Sequence, residues 1–129
     1  MSRILIVEDN DKNMKLARDL LQAKGYETLE AVNGEDGVRL GLEQVPDLVL
    51  MDIQLPDING IEAFRRLRAD PRTAGVPVVA FTASVTPTDR GKITEAGFNG
   101  FLSKPINIKE FLAMVKRMVA KDGVDGDRS

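Results

Sequence analysis

The sequence predicts an α/β fold of the doubly wound class, in which helices cover both faces of a parallel sheet. Strand-like and helix-like segments alternate along the 129 residues, with the period of roughly 20 to 25 residues that repeated βαβ units produce. The strand-like runs at 4–7 and 48–51 are apolar throughout, as expected for strands buried on both faces. We therefore expect one domain with five strands and five helices.

The first half of the chain is expected to form three strands and two helices. The segments are a strand at 3–8, a helix at 10–24, a weaker strand at 26–32, a helix from Asn33 to Pro46 and a strand at 47–52. Helical spacing of apolar residues defines the two helices, and Gly25 and Pro46 end them. Glutamates interrupt the second strand, which indicates a position at the sheet edge.

The second half continues the alternation. It is expected to contain a helix at 60–68, a strand at 76–82, a helix from Thr86-Pro87 to Ala96, a short strand at Phe101-Leu102 and a last helix that begins at Asn107. Thr86 and Asn107 are suitable N-cap residues. Residues 1–121 are thus expected to form the domain, and residues 122–129 a disordered tail.

Right-handed crossovers between these strands place helices on both faces of the sheet. The strand order expected for such a sheet is the flavodoxin-like order 2-1-3-4-5. The first and third strands are then neighbours. In such sheets ligands bind in the crevice at the carboxyl ends of the strands. The residues that follow each strand are therefore the candidate site.

Composition excludes several kinds of function. The chain has no histidine and no cysteine, so it contains no imidazole base, no thiolate and no His or Cys metal ligand. A net charge of −2 and a pI near 5.2 argue against a dedicated nucleic-acid binder, and we interpret Arg65, Arg66, Arg68 and Arg72 as a solvated helix face. No signal peptide or membrane-length apolar run is present. We expect a cytoplasmic protein that contacts neither membrane nor nucleic acid.

Polar residues follow four of the five predicted strands. Glu8 and Asp9 end the first strand, Asp52 the third and Thr82 the fourth, and Lys104 follows the fifth. Taken singly, an acid such as Asp9 before a helix is more often a helix cap than a metal ligand, and Lys104 is one of many solvated lysines. Together, three carboxylates in one crevice would raise one another's pKa unless a cation lies among them.

The donor set predicts the chemistry of the crevice. Oxygen ligands without His or Cys indicate a hard cation, and Mg²⁺ fits best because it binds a few carboxylates together with phosphate oxygens. A metal pocket with an additional carboxylate, a hydroxyl and an ammonium group suits phosphoryl transfer onto Asp52. Lys104 would stabilise charge on the transferring group, and Thr82 would donate to a phosphoryl oxygen.

Four motifs occur in order along the chain: "LIVEDN", "PDLVLMDIQLPDINGIE", "VVAFTA" and "FLSKP". Because of these motifs, the chain resembles the receiver domain of two-component response regulators from residue 3 to about 120. The resemblance implies that Glu8 and Asp9 hold Mg²⁺ together with Asp52 and the backbone carbonyl of Gln54. It implies that Asp52 is phosphorylated.

The resemblance also assigns the remaining site residues. Thr82 matches the conserved hydroxyl and Lys104 the conserved lysine, and the peptide bond before Pro105 is commonly cis. Phe101 matches the switch aromatic. Because Phe101 has no hydroxyl, packing rather than a hydrogen bond would drive its rotation between states.

Within this family the chain most resembles the DivK-like single-domain regulators of cell division. With no histidine and no nucleotide-binding loop, it is expected to receive its phosphoryl group from a sensor histidine kinase, a histidine phosphotransfer protein or a small donor. Its output is expected to be contact with a downstream protein. We expect a monomer or a weak homodimer, and not an enzyme with substrates of its own.

A docking patch for the phosphoryl donor is predicted beside the crevice. Leu16 lies about 100° around the first helix from the core residue Ala17. It is either an exposed apolar contact or a sidewall of the core. Asn10, Asn13, Pro105 and Ile106 would complete the patch.

Three other functions are compatible with part of the pattern. An aspartate-based phosphohydrolase usually carries a second Asp where this chain has Gln54. A flavodoxin-like cofactor binder is disfavoured by a single tyrosine, no tryptophan and an acidic crevice that would repel a phosphate. A receiver that works by contact alone would not need the complete set of pocket residues.

Overall fold

The computed structural model describes residues 2–83 and 86–122. The strands are β1 (Arg3–Val7), β2 (Glu27–Ala31), β3 (Leu48–Asp52), β4 (Val78–Thr82) and β5 (Gly100–Ser103). The helices are α1 (Asp11–Ala23), α2 (Gly34–Gln44), α3 (Gly60–Ala69), α4 (Pro87–Ala96) and α5 (Ile108–Asp122). The tail predicted to be disordered comprises residues 122–129, and residues 123–129 lie outside the described part of the chain.

Within the described residues the five strands form one parallel sheet in the order β2-β1-β3-β4-β5. The predicted fold class and strand order are confirmed. The register brings the strand ends to one edge, because Val7 pairs with Met51, Asp52 with Phe81, and Thr82 with Ser103. The residues that follow β1, β3, β4 and β5 are therefore neighbours in space.

Side-chain caps determine where the helices begin. The side-chain oxygen of the residue before each helix accepts a hydrogen bond from a backbone N–H three positions on; the capping residues are Asn10, Asn33, Asn59, Thr86 and Asn107. Such caps satisfy one of the N–H groups that a helix start leaves unpaired. At α1 the cap is Asn10, which leaves the carboxylate of Asp9 available for other contacts.

The sheet separates two apolar layers. Leu48 and Leu50 of β3 point into one cluster, which α1 and α5 cover, and Val49 and Met51 point into the other, which α2 and α3 cover. Because both faces of β3 are buried, its apolar run does not alternate with polar residues.

The start of α3 lies directly against the end of β3. A Cβ atom at Gly60 would overlap the backbone carbonyl of Asp52, and the Gly60 N–H donates to the Ile53 carbonyl at 2.8 Å. Only glycine permits this approach. The contact places the end of β3 and the loop after it against a packed helix.

The interpretation of four arginines as a solvated face is wrong for Arg68. Its guanidinium lies 4.7 Å from the centre of the Phe64 ring and donates to the carbonyl of Val76 at 2.6 Å and to Asn99 Oδ1 at 2.7 Å. Arg68 therefore joins α3 to the segments that enter β4 and β5. Its long apolar stem allows it to be half-buried while its charged end finds partners.

Candidate functional site

Three carboxylates meet at the carboxyl edge of the sheet. Oxygen atoms of Glu8, Asp9 and Asp52 lie within 4.8 Å of one another. Glu8 is 1% exposed and Asp52 is 3% exposed, whereas Asp9 is exposed at the mouth of the crevice. The adjacency of β1 and β3 brings these residues together, as the sequence predicts.

Lys104 provides the positive charge beside the two buried carboxylates. Its Nζ lies 2.6 Å from Glu8 Oε1 and 3.0 Å from Asp52 Oδ2. The side chain is 12% exposed and passes over the Phe81 ring, with Nζ 5.1 Å from the ring centre. Lys104 directly follows β5, and its backbone N–H donates to the Thr82 carbonyl at 2.9 Å.

The carboxylate of Asp52 is held through both oxygens. Oδ1 accepts the backbone N–H of Gln54 at 3.0 Å, and Oδ2 accepts from Lys104 Nζ. Two partners on opposite sides restrict rotation of the carboxylate about its side-chain bonds. The group is consequently presented in one orientation at the bottom of the crevice.

The electrostatics of the crevice favour an added cation. Burial raises the pKa of Glu8, the nearby charge of Asp52 raises it further, and the close Lys104 ammonium group opposes both. Burial alone would lower the pKa of Lys104, but its contacts with Glu8 and Asp52 outweigh burial and raise it. The single ammonium group thus compensates only part of the carboxylate charge.

One side-chain oxygen of Glu8 indicates that a metal ion fits this crevice. Oε1 is buried and, although Lys104 Nζ is close, it has no well-directed hydrogen bond among the described residues. A buried oxygen of this kind normally has a partner. Together with the exposed Asp9 and the oxygen-only donor set, this geometry suits a hard divalent cation.

Thr82 and Phe101 lie on the same face of the sheet, because Ala80 pairs with Phe101 and Thr82 with Ser103. Thr82 is fully buried at the end of β4. Phe101 in β5 is half-buried, and the guanidinium of Arg90 from α4 lies 4.5 Å from the centre of its ring. The aromatic ring is thus held between the sheet and a charged group of the neighbouring helix.

The predicted docking patch is only partly exposed. Leu16 is 39% exposed, so it is a surface residue rather than core. Asn10 and Pro105 are also exposed, whereas Asn13 and Ile106 are half-buried and Ile106 packs against the core. The peptide bond between Lys104 and Pro105 is cis.

Three contacts of the site are not predicted by the sequence. Arg90 contacts Phe101 from α4, a helix with little amphipathic pattern. Phe81 lies under Lys104, whereas the sequence indicates only a core residue at this position. Asp57, which suggests a turn in "LPDING", accepts hydrogen bonds from the start of α2. The one sequence feature that suggests the Asp57 contact is an aspartate, a short side chain that accepts hydrogen bonds, in the loop that follows Asp52.

The fold and the crevice define a doubly wound α/β domain with an acidic cluster and one lysine at its topological switch point. Residues 4–116 match the response regulator receiver domain family, and the chain belongs to this family. None of the described helices has the length and apolar character that a membrane span requires.

Relatives and solved structures agree with this assignment. The chain is 43% identical over 113 residues to the polar-differentiation response regulator DivK of Brucella anthropi, which covers 88% of this chain and 92% of the relative. It resembles the receiver domain of a sensor histidine kinase from Pseudomonas aeruginosa, solved with magnesium in its active-site cleft. The TM-score is 0.86 and the identity 34%, over 92% of this chain and 98% of that one. A CheY-like receiver domain from Methanospirillum hungatei gives a TM-score of 0.86 at 25% identity, over 95% of this chain and 96% of that one.

Proposed function

We propose that this receiver domain accepts a phosphoryl group on Asp52 from a phosphohistidine of a partner protein and signals through contacts that depend on phosphorylation. The observation that carries the proposal is the Asp52 carboxylate. It is held by Gln54 N–H and Lys104 Nζ beside the carboxylates of Glu8 and Asp9. This arrangement combines a positioned nucleophile with groups that stabilise charge on the phosphoryl oxygens.

The metal in the proposal is Mg²⁺, held by Glu8, Asp9, Asp52 and the backbone carbonyl of Gln54. The poorly satisfied Oε1 of Glu8 and the oxygen-only donor set support it, as does the magnesium named for the Pseudomonas aeruginosa structure. When bound, Mg²⁺ reduces the negative charge that carboxylates and phosphoryl oxygens present to one another.

In the transfer step an oxygen of Asp52 forms a bond to phosphorus while the bond from phosphorus to the donor's imidazole nitrogen breaks. The electron pair of that bond stays on the imidazole, so the domain needs no base of its own for this step. Lys104 is placed to pair with the phosphoryl oxygens, and the hydroxyl of Thr82 is proposed to donate to one of them.

We assign the response to phosphorylation to Thr82 and Phe101. Movement of Thr82 toward the phosphoryl group would open space, and the Phe101 ring would turn into it. The Arg90 guanidinium, 4.5 Å from the ring centre, would lose that contact, and the β4–α4–β5 surface would change. A bistable packing of this kind transmits a local charge change to a distant face.

The donor in this proposal is a sensor histidine kinase or a histidine phosphotransfer protein, and it docks beside the crevice. Leu16 is the residue that best supports the patch, because it is an exposed leucine on α1, the helix that begins two residues after Asp9. Asn10, Asn13, Pro105 and Ile106 are proposed to surround it. An apolar contact at the mouth would hold the donor's imidazole in line with Asp52.

The proposal is tested by intact-protein mass spectrometry after incubation with acetyl phosphate, with Mg²⁺ and with EDTA, beside an Asp52→Asn control. The expected result is a single phosphoryl adduct that requires Mg²⁺ and is absent from the control. A correctly folded protein that forms no adduct, either with acetyl phosphate or with a phosphorylated histidine donor, would instead indicate a module that works by contact alone. Hydrolysis of a stable phosphate monoester, which does not transfer its phosphoryl group to a receiver aspartate, would indicate a phosphohydrolase.

The cellular role we propose follows from the Brucella relatives, whose names describe polar differentiation. We propose control of cell division or differentiation, in the cytoplasm, through a downstream protein. Expression of the wild-type chain and of Asp52→Asn in a strain that lacks its own polar-differentiation regulator tests this role. The wild type should restore cell shape and division timing, and the variant should not.

A further inference from the structure

The loop between β3 and α3 connects the phosphoacceptor to a second part of the fold. At its start the Gln54 N–H donates to Asp52 Oδ1 at 3.0 Å, and at its end the Gly60 N–H donates to the Ile53 carbonyl. The loop thus supplies one of the two partners that orient the Asp52 carboxylate. Whatever holds the middle of the loop also influences that orientation.

The middle of the loop is held by Asp57. Its Oδ1 accepts the Gly34 N–H at 2.7 Å, and its Oδ2 accepts the Glu35 N–H at 2.8 Å. Both donors belong to the first turn of α2, more than twenty residues earlier in the chain. Hydrogen bonds from a helix start to a carboxylate are short and are strengthened by the helix dipole.

The loop and α2 are also in direct apolar contact. A Cβ atom at Gly34 would overlap the side chain of Ile58, the residue after Asp57. The carboxylate and the isoleucine therefore clamp the loop onto the first turn of α2 from two adjacent positions. A larger residue at position 34 would push the loop away.

The helix that receives this clamp rests directly on β1. A Cβ atom at Gly37 would lie only 2.8 Å from Cγ2 of Val7, so α2 packs on the strand that leads into Glu8 and Asp9. Asp52 and its loop on one side, and Glu8 and Asp9 on the other, are consequently linked through α2. Because β1 and β3 are also paired directly, this link acts mainly on the loop after β3, which carries the Gln54 partner of Asp52.

From these contacts we infer that Asp57 is a positioning residue for phosphoryl transfer, which holds the Asp52–Gln54 half of the site in register with the Glu8–Asp9 half. The inference rests on the proposed function of Asp52. Groups that orient metal ligands from behind commonly change metal affinity or activity by about 10- to 100-fold when they are removed. Asp57 does not touch the phosphoryl group and acts only through the loop.

The alternative is that Asp57 only stabilises α2, and Asn33 provides the matched control. Asn33 caps the same helix through the N–H of Asp36, at 2.8 Å, but does not contact the loop in any hydrogen bond described. Asn33→Ala therefore weakens the helix start and leaves the clamp in place. Asp57→Ala removes both hydrogen bonds of the clamp, and Asp57→Asn leaves one acceptor oxygen.

The experiment measures two quantities at a temperature at which circular dichroism shows every variant to be folded. These are the Mg²⁺ dissociation constant, by calorimetry, and the rate of adduct formation with acetyl phosphate, by intact-protein mass. We expect Asp57→Ala to weaken Mg²⁺ binding and slow adduct formation by about 10-fold, Asp57→Asn to lie between it and the wild type, and Asn33→Ala to match the wild type.

The outcomes separate this inference from the proposed function. If the wild type forms no adduct, the proposed function fails. If the wild type forms the adduct and Asp57→Ala behaves as Asn33→Ala does in both measurements, Asp57 is only a helix cap and the inference is overturned. Gly34→Ala, which retains the carboxylate but displaces Ile58, should reproduce the Asp57→Ala defect; wild-type values in this variant would also contradict the inference.

Discussion

Replacing Lys104 by methionine should destabilise the metal-free domain and make its stability depend strongly on Mg²⁺. Lys104 Nζ lies 2.6 Å from Glu8 Oε1 and 3.0 Å from Asp52 Oδ2, and both carboxylates are almost fully buried. Methionine retains the apolar stem over the Phe81 ring but removes the charge. Two buried carboxylates would then face each other with no cation between them.

The magnitude follows from the two contacts. At an effective dielectric constant of about 20, each contributes about 6 kcal/mol of attraction before the cost of removing the ions from water. Desolvation offsets most of this attraction, and removal of one partner from a buried ion pair typically costs about 3 to 5 kcal/mol. Glu8 can relieve part of the repulsion by taking up a proton, because burial already raises its pKa. We therefore expect a loss of about 3 kcal/mol, the lower end of that range.

The assay is urea unfolding, followed by circular dichroism, of the wild type, Lys104→Met and the control Lys116→Met, which removes an exposed lysine of α5. In EDTA only Lys104→Met should lose stability. Saturating Mg²⁺ should restore most of the loss, because the cation binds only the folded state and, without the competing ammonium group, binds the variant more tightly than the wild type. Equal stability of the two variants in EDTA, or the same deficit with and without Mg²⁺, would refute this account of the crevice.

Three further predictions concern the switch, the docking patch and the loop. Thr82→Ala should still form the Asp52 adduct but lose the phosphorylation-dependent change in the NMR signals of the Phe101 ring; a full change in these signals would contradict the proposed coupling. Leu16→Asp should slow transfer from the cognate phosphohistidine donor at least about 10-fold, consistent with loss of a central apolar contact, and leave the acetyl phosphate reaction unchanged. Equal loss in both reactions, or an equal effect of Val45→Asp at another exposed apolar position, would refute the docking patch. Burial raises the pKa of Asp57, but hydrogen bonds from backbone N–H groups outweigh burial and hold the pKa below its usual value. The contribution of the Asp57 carboxylate to stability is therefore present at neutral pH and is lost as the pH falls through that lowered pKa. The difference in melting temperature between wild type and Asp57→Asn should accordingly shrink in acid, and a difference that stays constant with pH would contradict this assignment.

Local patterns in the sequence predict the fold class and the residues at the strand ends, and the strand order is taken from flavodoxin-like folds. The fold class and the strand ends rest on short-range information. Apolar runs such as 48–51 define buried strands, and asparagines define helix starts. Parallel topology then brings the strand ends together. The cluster of Glu8, Asp9 and Asp52 follows once that strand order makes β1 and β3 neighbours, because parallel strands end at the same edge of the sheet.

Contacts between elements that are distant in the chain are seen only in the three-dimensional structure. The periodicity of α1 left Leu16 either exposed or at the side of the core, and packing exposes it. Arg68 appeared to be a surface residue, but neighbouring segments supply it with carbonyl and amide partners. The Arg90–Phe101 contact and the Asp57 clamp join residues 11 and more than 20 positions apart. Such pairs depend on how helices settle on the sheet, which local propensity and periodicity do not specify.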